Sequence, residues 1–265
     1  MALREEFEKT GNWLFKWRSY LPVFFFGMAL LSLRHFRPLQ SNFAEMLWEL
    51  FCLSVSYLGL AVRIVTVGFT PHRTSGRNTH HGQVANSLNT AGIYSVTRHP
   101  LYLGNFLMWF GISLFPMLWW LSVLCILLFW VYYERIMFAE EEYLRKNFDE
   151  TYTRWADKTP AFIPCFKNYV KPDLPFSLKK VLRKEYDGFF AVALCLFSME
   201  VAGDYLSGSP VQLDTMWVVI MAASLGIWIT LRTLKHRASH FPGGGTGKSK
   251  DHYSTLPVEI DFGSH

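Results

Sequence analysis

Cysteine is scarce in this sequence, and the few present are not spaced for chemistry. Cys52, Cys125, Cys165 and Cys195 form no C-x-x-C pair and have no histidine close by to complete a metal set, which speaks against a zinc site. Three of them lie in apolar segments and read as packing thiols. Charge is thin as well, with Asp, Glu, Lys and Arg making up 18% of 265 residues. A cleavable leader is not expected, because the charged run Arg4, Glu5, Glu6, Glu8 and Lys9 opens the chain and no small-residue cleavage site follows the first apolar stretch. There is no internal repeat, and low complexity is confined to the Gly-, Ser- and charge-rich stretch 241–265, expected to be flexible. The basic stretch 167–184 has no interleaved base-stacking pattern. It reads as attraction to anionic lipid, with no nucleic acid as partner.

What is abundant is apolar and aromatic: 51% of the residues are hydrophobic and 17% are aromatic, too greasy for a soluble domain of this size. Stretches near the length that carries a helix across ~30 Å of hydrocarbon recur at about 20–34, 43–68, 101–118, 119–138, 188–206 and 213–232. The expected fold is therefore all-α, an integral membrane bundle of about six transmembrane helices. Trp13, Trp17 and Tyr20 precede the first span at headgroup level. The third and fourth spans meet around Pro116 with room only for a tight turn, so they form an antiparallel hairpin. Of the 26 Lys and Arg residues, all but Arg34 and Arg37 fall on the side holding both termini and the connections 70–100 and 139–187. The positive-inside rule makes that side, with both termini, cytoplasmic. It also puts the two long polar connections, where a cofactor pocket has to be, on one face. The expected organisation is a cytoplasmic segment 1–19, a core 20–187, a two-helix extension 188–232 and a tail 233–265.

The strongest local signal is the stretch 92–105, which contains Arg98-His99-Pro100-Leu101-Tyr102-Leu103-Gly104. Pro100 suits the first turn of a helix, where its missing N–H costs nothing. Free amides and the positive dipole end at that start favour a carboxylate or phosphate; an interfacial anchor is the competing reading. The second signal follows the fourth span: Glu140, Glu141 and Glu142, then Leu144, Phe148 and Tyr152. Glu140, Leu144, Phe148 and Tyr152 are spaced by four and share a helix face. Glutamate clusters are more often merely solvated, but the hairpin turn brings this one back to Arg98 and His99.

Other features carry less. Gly243-Gly244-Gly245-Thr246-Gly247-Lys248-Ser249 imitates a nucleotide loop, but Pro242 stands where the first glycine belongs and no strand precedes it. His72, His80 and His81 do not converge as metal ligands do, so no metal is expected. Glu45, Glu49 and Glu200 lie within or near spans, where ionisable groups face a polar interior or the interface.

The pattern R-H-P-x-Y-x-G, then E-E-x-x-L-x-x-x-F-x-x-x-Y, then Phe162-Ile163-Pro164 resembles the isoprenylcysteine carboxyl methyltransferase and phospholipid methyltransferase superfamily over about residues 45–166. The resemblance implies a membrane fold without a Rossmann glycine pattern, using S-adenosylmethionine to methylate a lipid or lipidated carboxylate, phosphate or amine. It implies a cofactor site lined by Asn86, Ser87, Leu88, Asn89, Tyr94, His99, Pro100, Leu101 and Tyr102, with Glu140 as acidic partner. Arg98 and His99 are the implied catalytic residues, with Arg135 as a substrate clamp. In that family an arginine lies four residues before the first glutamate; here that place is Ile136, and Arg135 is one earlier, turned by about 100° on a helix. The family's glycine after the Phe is here Asp149, and the loop 74–79 has no counterpart in the eukaryotic enzymes. The competing readings are an NADPH-dependent membrane reductase of the sterol reductase type, in which an acidic residue commonly stands where this chain has Asn105, and a non-enzymatic membrane scaffold.

Overall fold

The computed structural model describes residues 2–18, 20–35, 41–70, 77–79, 82–84, 87–207 and 214–240. Seven α-helices dominate: α1 Leu3–Trp17, α2 Tyr20–Ser32, α3 Asn42–Phe69, α4 Pro100–Leu114, α5 Trp119–Ala156, α6 Leu178–Ser207 and α7 Thr215–His240. A two-stranded antiparallel hairpin, β1 Arg77–Thr79 and β2 Gly82–Val84, is the only pair of strands among the described residues. Helices α3, α5, α6 and α7 are long and apolar enough to cross a membrane, and α2 and α4 are shorter apolar helices. The chain is an all-α, multi-pass membrane protein.

The six apolar helices lie where the hydropathy pattern places them, and the differences are at the ends. The charged N-terminal segment is itself a helix, α1. Helix α4 stops at Leu114 rather than 118, because Met117 turns the chain with φ 56°. Helix α6 begins at Leu178, so the expected core boundary at 187 falls inside it, and α7 runs on to His240, past the expected tail start at 233. Apolar periodicity marks only the part of a helix inside hydrocarbon, whereas the backbone ladder continues into water. The glycine-rich run 243–249, His72, His80, His81 and positions 74–76 lie outside the described residues.

Small residues allow α3 and α4 to approach closely. A Cβ on Gly59 would come within 2.5 Å of the Gly104 carbonyl, and one on Gly111 within 2.6 Å of the Cys52 carbonyl. Without a hydrophobic drive between helices in lipid, such backbone approach is the main source of packing. Ser56 Oγ, donating to the Met108 carbonyl at 3.1 Å, adds a polar tie. Around this pair the core gathers Phe25 and Ala29 of α2, Leu121 and Cys125 of α5, Val192 and Leu196 of α6, and Trp217 of α7. Glu49 of α3 faces this interior and accepts from Trp217 Nε1 at 2.9 Å.

The 38 residues of α5 measure about 57 Å at ~1.5 Å per residue, nearly twice the hydrocarbon thickness. Its second half therefore projects from the membrane, and α1 lies along it. Gly11 packs on the α5 backbone at Arg135, with Ala139 Cβ 2.8 Å from where a Cβ would stand. Phe7 meets Phe138 edge to face at 5.8 Å, Tyr132 donates to the Leu14 carbonyl at 2.9 Å, and Lys146 pairs with Glu8 at 2.5 Å. The projecting helix breaks once, at Asp149, with φ 40° and ψ −116°. That backbone region belongs to glycine, which explains in steric terms why a glycine is common there in the family that the motif resembles. Asp149→Gly is expected to stabilise the protein by about 1 kcal/mol, read as a higher thermal unfolding midpoint in nanodiscs; an unchanged or lower midpoint would contradict the strain.

Candidate active site

The start of α4 is held by a strap formed by residues 160–170. The Arg98 and His99 amides donate to the carbonyls of Pro160 at 2.9 Å and Ala161 at 3.2 Å, and Cys165 N donates to Val96 O at 2.9 Å. Gly92, with φ 63°, pairs with Val170, whose amide also donates to Ser95 Oγ at 2.8 Å. Thr97 Oγ1 donates toward the carbonyls of Ala161 and Phe162, at 3.1 and 3.2 Å. Trp155, beyond the break in α5, donates to the Tyr94 carbonyl at 3.1 Å. The residues on either side of Phe162-Ile163-Pro164, namely Pro160, Ala161 and Cys165, thus hold the Arg-His-Pro turn through main-chain pairing.

This strap corrects one expectation. The amides before Pro100 are not free for an anion, because Pro160 and Ala161 take them, and those of Tyr102 and Leu103 return to the His99 carbonyl. Among the described residues, Leu101 carries the one amide of this turn with no bonded carbonyl.

Side chains supply the charge instead. His99, buried, places Nε2 at 2.9 Å from Glu141 Oε1; a carboxylate only accepts, so Nε2 carries the proton. Arg98 Nε stands 3.3 Å from the same Glu141 oxygen, and His99 Nδ1 stands 3.7 Å from Glu140 Oε2. Tyr102 donates to Glu140 Oε2 at 2.9 Å and stacks on the His99 ring at 5.6 Å. Burial works against the charge on Glu141, but the His99 hydrogen bond and the His99 and Arg98 charges outweigh it and hold its carboxyl below the ordinary range. Glu142 turns the other way, to Arg4 of α1. The three consecutive glutamates are thus divided between the α4 start and α1.

Of the residues expected from sequence, Arg98, His99, Pro100, Tyr102 and Glu140 come together here. Tyr94 and Leu101 flank them on the same turn. Ser87, Leu88 and Asn89 lie in the preceding loop, where Asn89 Oδ1 accepts from the Ala91 amide at 3.3 Å; among the described residues no hydrogen bond joins them to this group. Asn86 lies outside the described residues. Arg135 is turned away, with its guanidinium 4.5 Å above the Phe7 ring of α1. That is the rotation its offset from the family position implied. Sequence reasoning missed Glu141 as the shared partner of Arg98 and His99, and it missed Tyr133, whose ring lies 4.9 Å from Tyr102. Tyr133 stands seven residues before Glu140, two helical turns below it, and that spacing was the available signal.

Below the charged mouth, Pro22 and Phe25 of α2, Trp109 of α4 and Cys125, Leu128, Phe129 and Tyr133 of α5 line a narrow apolar slot at membrane depth. Tyr133 belongs to both the slot and the mouth. Among the described residues, no three His, Cys, Asp or Glu side chains gather as metal ligands do.

A family model described as phospholipid methyltransferase matches residues 51–151, which hold most of α3, the α4–α5 hairpin and both sides of the charged mouth. The matched segment is thus similar to the superfamily that the sequence motifs resemble. The chain is similar to protein-S-isoprenylcysteine O-methyltransferase of Schizosaccharomyces pombe, 30% identical over 128 residues, covering 46% of this chain and 52% of that protein. It is also similar to the nickel-cobalt-cadmium resistance protein NccN of Alcaligenes xylosoxydans xylosoxydans, 35% identical over 83 residues, 31% of this chain and 38% of that one. A third relative is the cobalt-zinc-cadmium resistance protein CzcN of Cupriavidus metallidurans, 33% identical over 88 residues, 33% and 40% of the two chains. The chain spans only about two fifths to one half of the length of these curated relatives. No solved structure matches it. Helices α1, α2, α6 and α7 lie outside the matched segment.

Removing Glu141 takes away the buried carboxylate that Arg98 and His99 share. Glu141→Ala is expected to destabilise the protein by about 2–4 kcal/mol, seen as a lower unfolding midpoint and faster proteolysis at the 160–170 strap. An unaltered midpoint would mean that water alone satisfies Arg98 and His99.

Proposed function

We propose that this protein transfers the methyl group of S-adenosylmethionine to a lipid or lipidated acceptor at the membrane surface, on the face that the Lys and Arg distribution makes cytoplasmic. The observation that carries the reading is the junction of a charged mouth, built from Arg98, His99, Glu140 and Glu141, with an apolar slot at Tyr133. A zwitterionic methionyl group fits a mouth with charges of both signs, and a hydrocarbon chain fits the slot. The superfamily match supports the chemistry, and the Schizosaccharomyces pombe relative is named for methyl transfer to a prenylated acceptor. Both resistance proteins are named for metals, and nothing in their names states a reaction.

In this reading Glu140, held by Tyr102, receives the methionyl ammonium or an adenosyl hydroxyl. Arg98, His99 and the Leu101 amide receive the methionyl carboxylate through charge-assisted hydrogen bonds. Asn86, Ser87, Leu88, Asn89 and Tyr94 form the wall toward the adenosine, and Pro100 fixes the turn. Bound S-adenosylmethionine supplies an already activated methyl on a sulfonium. One carbon–sulfur bond breaks as a bond to the acceptor atom forms, and the electron pair stays on sulfur. The residues therefore position the acceptor and exclude water, which is where most of the rate gain lies for such a step. An anionic oxygen has no proton to lose, so His99, its Nε2 proton held by Glu141, has no base to be. Arg135, seated on Phe7, is not part of this arrangement.

Purified protein in nanodiscs is expected to bind S-adenosylmethionine in titration calorimetry and not NADPH; the reverse would establish the reductase reading. Glu140→Ala and Arg98→Ala are each expected to abolish transfer of radiolabelled methyl to membrane lipid while the protein stays folded. Full activity in both would end the site assignment.

A further inference from the structure

Arg63 of α3 lies within a membrane-spanning helix, where a lone cation is costly. Glu185 of α6 neutralises it: Arg63 Nε donates to Glu185 Oε2 at 2.8 Å and Nη2 to Oε1 at 3.0 Å, the two-pronged geometry of a strong pair. The remaining prong, Nη1, donates to Asn105 Oδ1 at 2.5 Å. Asn105 is one residue past the glycine of the R-H-P-x-Y-x-G element.

A guanidinium has only donors, so the face of Asn105 toward Arg63 has to be its oxygen. That fixes the amide the other way round: Asn105 Nδ2 faces Tyr133 and donates to the phenol oxygen at 3.4 Å. Tyr133 therefore accepts on that side, and its own proton is left to point elsewhere. Among the described residues nothing accepts it; the neighbouring Tyr102 hydroxyl is already committed to Glu140. Tyr133 is buried, closes the slot and touches the Tyr102 ring. Its free donor thus sits where slot and mouth meet.

Resting on the methyl-transfer reading, we propose that Glu185, Arg63 and Asn105 form a polarity relay that presents the Tyr133 hydroxyl as a donor to the acceptor, selecting a lipid whose reacting group is an oxyanion. A carboxylate or phosphate takes that hydrogen bond through one oxygen and receives the methyl on another; the carbon–sulfur bond breaks as the carbon–oxygen bond forms, and no proton leaves. An ammonium has only donors to offer and meets a donor. Glu185 and Arg63 are positioning residues, and this role ties α6 to the site.

Asn105→Asp tests the relay, because a carboxylate of nearly the same shape still accepts from Arg63 but also accepts from Tyr133, reversing the phenol. Wild type, Asn105→Asp, Tyr133→Phe and Glu185→Asp are given radiolabelled S-adenosylmethionine and vesicles containing N-acetyl-S-farnesylcysteine, phosphatidic acid or phosphatidylethanolamine, and cofactor affinity is measured by calorimetry on the same samples. The wild type is expected to label an oxyanion lipid. Asn105→Asp and Tyr133→Phe are each expected to lower kcat/KM by about ten- to a hundredfold, the worth of a hydrogen bond to a charged group, with the cofactor Kd within about twofold of wild type. Glu185→Asp, whose shorter side chain loses the two-pronged reach to Arg63, is expected to lower kcat/KM in the same direction with the cofactor Kd unchanged. Labelling of phosphatidylethanolamine alone or of none of the three lipids, or wild-type kinetics in both Asn105→Asp and Tyr133→Phe, would overturn the relay. A wild type that fails to bind S-adenosylmethionine would instead remove the reading beneath it.

Discussion

The charge pairing between the start of α4 and the emerging part of α5 is the constraint on which the rest of the site depends. Two consecutive glutamates on a helix point about 100° apart, so one helix start engages both only if it offers two groups at different angles. Arg98 and His99 do this, with Tyr102 one turn on. Their fixed directions come from the strap 160–170, which uses the main-chain amides and leaves the side chains to do the recognition. The site is therefore built by side-chain electrostatics on a turn whose backbone is already satisfied.

The membrane-embedded part solves a related problem with fewer charges. Close approach at Gly59, Gly104 and Gly111 brings α3 and α4 together, and that approach delivers Arg63 to Asn105. Glu185 then makes the arrangement electrically neutral from a helix outside the matched segment. Where α6 contributes one carboxylate to the interior, α7 contributes another interaction near the far end, the Trp217 bond to Glu49. These two polar ties fix α6 and α7 to α3 where apolar contact with lipid would compete equally well.

Much of this was legible in the sequence. Apolar length placed six helices, and the tight turn at Pro116 placed Arg98 opposite Glu140. Three things were not legible. The helix ends at 178 and 240 extend past the hydrocarbon, where periodicity gives no mark. The strap carbonyls of Pro160 and Ala161 act through the main chain, which no side-chain pattern records. The roles of Glu141, Asn105 and Tyr133 depend on which of several equivalent-looking polar groups faces which neighbour, a fact of rotation about a helix axis fixed only by tertiary packing.

Helix α4 has 15 residues, about 22 Å of rise, well under the ~30 Å of hydrocarbon around it. A hairpin with one short limb draws the lipid surface inward beside it, since thinning the bilayer locally costs only fractions of a kcal/mol per Å. The depth of that dimple varies with the host membrane, so bilayer thickness becomes a variable that sets how far the charged mouth stands from the lipid surface.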